Sequence, residues 1–94
     1  MNYQIKLSSS ARKALKKLGR SGKFNPSILN KILYCFERGE SLPVHVKDHA
    51  LRGNFIGSRE CHLGFNLLLI YKYNDELKVI TVSDIGTHPE LFGE

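Results

Sequence analysis

Five consecutive apolar residues, Leu67-Leu68-Leu69-Ile70-Tyr71, do most to limit what this chain can fold into. An extended backbone turns successive side chains to opposite faces. A strand through this stretch therefore needs apolar cover on both sides and belongs in the middle of a sheet. The run is far shorter than the roughly 20 residues that span a bilayer. Asn74-Asp75 reads as a hairpin turn after it, Leu77 to Val82 as the next strand, and Gly86 as its break. Ser58 to Leu63 suits a strand before it. Residues 3 to 7 alternate Tyr, Ile and Leu with polar residues, the pattern of a half-buried strand.

Two helices fall between the first strand and the rest. Ser8, Ser9 or Ser10 can cap the first, Ala11, Ala14, Leu15 and Leu18 form its apolar stripe, and Gly19 and Gly22 end it. Asn25-Pro26 supplies a cap and first residue for the second. Its apolar positions Ile28, Leu29, Ile32, Leu33 and Phe36 follow the helical period, and Gly39 and Pro43 stop it. Val44 to Arg52 reads as irregular, and Pro89 to Phe92 as a short terminal turn or helix. The order is β-α-α-β-β-β. Helices segregated from consecutive strands predict an α+β fold, two antiparallel helices packed on a mainly antiparallel sheet.

With 94 residues the chain is expected to form a single domain, 1–94. Its 41% hydrophobic and 24% charged residues suit a folded protein rather than a disordered one. Met1 to Lys6 alternates instead of forming an apolar block, so no signal peptide is expected, and the expected location is cytoplasmic, with no membrane partner. Two cysteines, Cys35 and Cys61, make no disulfide framework and read as buried thiols. The formal charge of +5 and pI of about 9.4 favour a polyanionic partner, nucleic acid or an acidic protein. Arg12, Lys13, Lys16, Lys17, Arg20 and Lys23 concentrate that charge on and just after the first helix, with no acid among them.

All four histidines, His45, His49, His62 and His88, lie after the two helices. Histidine exchanges protons near neutral pH, its unperturbed pKa being about 6.5. Glu60 and His62 share one face of their strand, and Arg59 and Cys61 the other; with Cys61 toward the helices, His62 faces the uncovered side of the sheet. Hairpin topology can then bring His49, His62 and His88 to one concave surface. Rival chemistries fare worse. His45 and His49 stand four apart, as metal ligands on a helix do, but Pro43 and the β-branched Val44 and Val46 oppose a helix there, so no metal or other cofactor is expected. There is no G-x-S-x-G elbow, and Gly53 to Gly57 lacks the ending of a phosphate loop. What remains is acid–base cleavage of RNA, in which two imidazoles make both proton transfers and Arg or Lys stabilises the phosphate.

Lys47-Asp48-His49-Ala50-Leu51-Arg52-Gly53, Arg59-Glu60-Cys61-His62, Leu68 to Lys72, and Gly86-Thr87-His88-Pro89-Glu90-Leu91-Phe92 occur in this order. In these motifs the chain resembles the YafQ family, within the RelE/ParE superfamily of bacterial type II toxins. The resemblance implies a metal-independent, ribosome-dependent endoribonuclease that cleaves messenger RNA in the ribosomal A site and is neutralised by a cognate antitoxin. By position, His49, His62 and His88 match the family's functional histidines. His49 and His88 would be base and acid, in one order or the other, and His62 would orient or stabilise the phosphate. Phe92 would stack on a base or plug the core beside Leu91. The family usually carries an aspartate where this chain has Asn66, which implies catalysis that is weaker, shifted in pH or differently arranged; Phe65 beside it is a stacking residue or apolar cover. Arg12, Lys13, Lys16, Lys17 and Arg20 would grip ribosomal RNA or receive an acidic antitoxin segment that folds on binding. Lys47 and Arg52 are further phosphate contacts, and Arg59 is either a transition-state cation or an ion-pair partner. Two alternatives stay open: a target-blocking toxin without catalysis, like the ParE branch, and a degenerate member that mainly binds its antitoxin.

Overall fold

A computed structural model describes residues 2–22, 24–64 and 66–93. Strand β1 (Gln4–Leu7) is followed by helices α1 (Ser9–Ser21) and α2 (Pro26–Arg38), then β2 (His49–Ala50), β3 (Arg59–Gly64), β4 (Leu67–Asn74), β5 (Val79–Gly86) and a closing helix α3 (His88–Phe92). Single 3-10 turns occupy Val44–Val46 and Gly53–Phe55. The five strands form one sheet in the order β1-β5-β4-β3-β2. Among the described residues the β1–β5 pair is parallel and the other pairs are antiparallel. The fold is α+β with a mostly antiparallel sheet, as expected, and β4 is interior to that sheet.

Local chemistry sets the helix ends. The Ser8 side chain accepts from the Ala11 amide and donates to the Ser83 carbonyl, which fastens the start of α1 to β5. Gly22, in the left-handed region at φ 70°, ends that helix. Gly19 lies within α1 instead of ending it, because one glycine costs only about 1 kcal/mol inside a helix. Asn25 caps α2 and Pro26 opens it, and Gly39 closes it with its amide on the carbonyls of the last turn.

The main core lies between these helices and one face of the sheet: Ala11, Leu29, Ile32 and Phe36 meet Cys61, Leu63, Leu69, Tyr71, Ile80, Val82 and Ile85. Three expectations need correction. The segment after Pro43 is not wholly irregular: His49–Ala50 pairs with Glu60 and Arg59 as a fifth, two-residue strand. Such a strand has no periodicity to read. The last hairpin turn is wider than Asn74-Asp75, because the Asn74 side chain accepts from the Leu77 amide and Lys78 is left-handed, so β5 begins at Val79. The register also shifts between Ile70 and Tyr71, and the strand continues past Val82 to Gly86. Finally, the sheet face away from α1 and α2 is not bare. Leu68 and Ile70 are buried there, at 3% and 4% exposure, outside the main core, where Phe55 and Leu91 lie close to Ile70. Gly86 permits this cover: a Cβ there would come within 3.2 Å of both Glu90 and Leu91.

Candidate active site

At the β3–β4 end of the sheet is a depression of about 430 Å³. His45, Lys47, His62, Asn66 and His88 line it, above Ile28 and Leu68. Each arrives by a different route. His62 sits in β3 directly opposite Leu68. His88 is the first residue of α3, held by a reciprocal cap: the Glu90 amide donates to the Thr87 hydroxyl and the Thr87 amide to the Glu90 carboxylate. Asn66 occupies the left-handed region at φ 63° in the β3–β4 turn, and asparagine tolerates that conformation well. His45 was not among the expected site residues. It enters because the 3-10 turn Val44–Val46 buries Val46 and leaves His45 exposed at the rim.

His49 does not line the depression but adjoins it through Glu60. The two are cross-strand partners, and His49 Nε2 lies 3.8 Å from Glu60 Oε1. The same oxygen lies 4.0 Å from His62 Nε2. Both distances exceed a hydrogen bond, so each contact is an ion pair only when its ring is protonated. Glu60 is 6% exposed, an unusual setting for a carboxylate. It compensates positive charge on either ring. Strand alternation had put Glu60 and His62 on one face; it could not reveal that β2 would bring His49 to the same oxygen. Asn66 therefore does not leave the histidines without a carboxylate. On its other side the His49 ring is within 2.8 Å of the Lys47 carbonyl, at Nδ1. A carbonyl only accepts, so Nδ1 carries the hydrogen and, in the neutral ring, Nε2 holds the lone pair.

Phe92 packs between Phe55, at 5.0 Å and 78°, and the His88 ring, at 4.8 Å and 48°. It thus supports His88 and is only partly buried. Arg59 lies on the opposite face from Glu60 and His62, bonded to Asp48 by two hydrogen bonds of 3.2 Å. Of its two expected readings, the geometry matches the ion-pair partner. That hydrogen bond raises the guanidinium above its ordinary pKa. Cys61 is buried on that same face, and desolvation pushes its thiol up to about 12, so it stays protonated at neutral pH. Arg12, Lys13, Lys16, Lys17 and Arg20 are all exposed on α1, and Lys17 reaches Glu90 of α3 at 3.7 Å, which joins the basic helix to the element carrying His88. Arg52 is exposed at the start of the Gly53–Phe55 turn. Lys23 and Phe65 lie outside the described residues. Among the described residues, no three His, Cys, Asp or Glu side chains are grouped to hold a metal ion.

Comparison with known proteins agrees with this picture. Over 52 residues the chain is 42% identical to the mRNA interferase toxin YafQ of Escherichia coli K12, covering 55% of this chain and 54% of that protein. The match thus spans about half the length of that curated relative. A metal-bound toxin from Helicobacter pylori superimposes with a TM-score of 0.86 at 33% identity, covering 98% of this chain and 100% of that one. A chain of the E. coli DinJ–YafQ toxin–antitoxin complex does so with a TM-score of 0.85 at 30% identity, covering 99% and 100%. The family model described as "Bacterial toxin of type II toxin-antitoxin system, YafQ" matches residues 3–93, and on that match the chain belongs to the YafQ family of bacterial toxins.

Proposed function

We propose that this protein is an endoribonuclease toxin that cleaves messenger RNA in the ribosomal A site by histidine acid–base chemistry without a metal, and that a cognate antitoxin with an acidic segment silences it. The carrying observation is the convergence of His62, His88 and Lys47 on one depression, with His49 coupled to it through Glu60. In the reaction a base removes the 2′-hydroxyl proton, the freed oxygen attacks the adjacent phosphorus, and the bond to the 5′-oxygen breaks as an acid protonates that leaving oxygen. The products are a 2′,3′-cyclic phosphate and a 5′-hydroxyl. His49 suits the base, because its neutral ring presents the Nε2 lone pair. His88 suits the acid, its ring braced by Phe92. His62 and Lys47 hold the phosphate, and Asn66 at the rim offers an amide donor. Two well-placed imidazoles each contribute about 10²–10⁴-fold.

The basic face of α1, linked to α3 by Lys17 and Glu90, extends the site with positive charge. Arg12, Lys13, Lys16 and Arg20 would contact ribosomal RNA phosphates, and the exposed Arg52 would add a further phosphate contact. An acidic antitoxin segment on the same helix would exclude the ribosome and so inhibit. The relative named an mRNA interferase and the DinJ–YafQ complex support both halves of this reading. A ribosome-dependent toxin would act in the cytoplasm; no helix among the described residues is long and apolar enough to cross a membrane.

The test is to map transcript ends in a translating extract, with and without ribosomes. Ribosome-dependent cuts within codons are expected. His88→Ala should reduce them by at least about 100-fold while antitoxin binding persists. Unchanged cleavage by His88→Ala would remove His88 from the chemistry, and growth inhibition without any cleavage would favour a target-blocking toxin.

A further inference from the structure

His49 stands on the least secure element of the sheet. β2 is two residues long and at the edge, so its ladder alone fixes little. The residue before it is the one held firmly. Asp48 takes both Arg59 hydrogen bonds, Nε to Oδ1 and Nη2 to Oδ2, each 3.2 Å, and the Tyr71 hydroxyl donates to Oδ1 as well. Arg59 and Tyr71 are cross-strand partners in β3 and β4, so the carboxylate ties the residue leading into β2 to both of those strands. Tyr71 is fully buried against Phe36, with ring centroids 4.6 Å apart. Arg59 and Glu60, adjacent in β3, face opposite ways: Asp48 is gripped by Arg59 behind the sheet and His49 meets Glu60 in front.

We propose that Asp48, clamped by Arg59 and Tyr71, is a positioning residue that sets the place and ring orientation of His49 for RNA cleavage. This rests on His49 being a catalytic group, as proposed above. The clamp fixes the backbone between Lys47 and His49. Lys47 there is left-handed, at φ 54°, an uncommon conformation for a lysine. That geometry holds the Lys47 carbonyl 2.8 Å from His49 Nδ1 and so selects the tautomer with Nε2 toward Glu60. The partners are suited to permanence. The bidentate guanidinium–carboxylate pair is directional, and burial keeps the Tyr71 hydroxyl protonated as a donor. Arg59 accordingly acts on the reaction through Asp48 and not by touching phosphate.

Three variants distinguish this from its parent reading: Asp48→Asn, Tyr71→Phe and His49→Ala, assayed for ribosome-dependent cleavage with kcat and KM separated. The His49 tautomer is read from ring nitrogen chemical shifts. Wild type should show the hydrogen on Nδ1. Asp48→Asn and Tyr71→Phe should lower kcat, by up to about 100-fold for an ångström of displacement, leave KM near wild type, and mix the His49 tautomers while circular dichroism stays native. A merely structural clamp would lower melting temperature without moving the tautomer. Tyr71→Phe deletes a single hydroxyl and serves if Asp48→Asn does not fold. Wild-type kcat in either folded variant, or the hydrogen on Nε2 in wild type, overturns the clamp. Full activity of His49→Ala would instead remove His49 from catalysis, and the clamp's role with it.

Discussion

The two ends of the site hold their histidines by opposite means. His88 rides on a helix of five residues whose start is set by the Thr87–Glu90 cap and whose Phe92 ring packs on His88, with contacts at the surface from Glu90 to Lys17 and from Phe92 to Phe55. His49 rides on a strand of two residues, whose anchor Asp48 finds its partners 11 and 23 positions away. One end is a capped helix held by contacts at the surface, the other a long-range network backed by the main core. A short element need not be a loose one. What decides is whether its fixing groups are exposed and sequential or shielded and distant, since shielding strengthens polar contacts and sequential caps fray easily.

The largest expected effect breaks the core-backed end from below. Phe36, 1% exposed, packs on Tyr71. Phe36→Ala should cost about 3–5 kcal/mol by chemical denaturation, a large part of the stability of so small a domain. Amide exchange should rise more at residues 48–50 than at 88–92; equal loosening would mean the two ends are not separately held. A smaller change sharpens the contrast from the other side. Thr87→Ala removes the α3 cap and should cost about 1 kcal/mol, with faster exchange confined to α3 and β2 unaffected.

The smallest expected effect is a divergence with pH. Hydrogen bonds to Thr87 hold the Glu90 carboxyl below its ordinary 4.5. A depressed folded pKa means this contribution is complete above about 4.5 and is lost as pH falls through the folded value. Burial, then the Asp48 hydrogen bond, raises Tyr71 above its ordinary 10.0. A raised folded pKa means that contribution is complete below about 10 and is lost as pH rises toward the folded value. In an NMR titration α3 should loosen first in acid and the residues around Asp48 first in alkali. The reverse order would contradict the assignment of the two anchors.

Much of the scaffold was readable from residue spacing. Asn25-Pro26 and Gly39 bracketed α2, the Leu67–Tyr71 run marked the interior strand, and alternation put Glu60 and His62 on one face away from Cys61. The α3 cap is also spelled out locally, in Thr87 and Glu90 three residues apart. The β2 strand and the entry of His45 were not, because two or three residues carry no period. Nor was the cover over Leu68 and Ile70, which depends on α3 folding back beside Gly86.

By itself, then, the sequence determined the helices, the strand faces and the family motifs, because backbone periodicity and capping act over a handful of positions. Only the tertiary structure decided that Glu60 would stand between two imidazoles, that Arg59, already turned from them by strand alternation, would find Asp48 as its partner, and that His49 would join from an edge strand. Those outcomes depend on which strands become neighbours and in what register. That choice is made by packing the whole sheet against α1 and α2, and no short segment carries it.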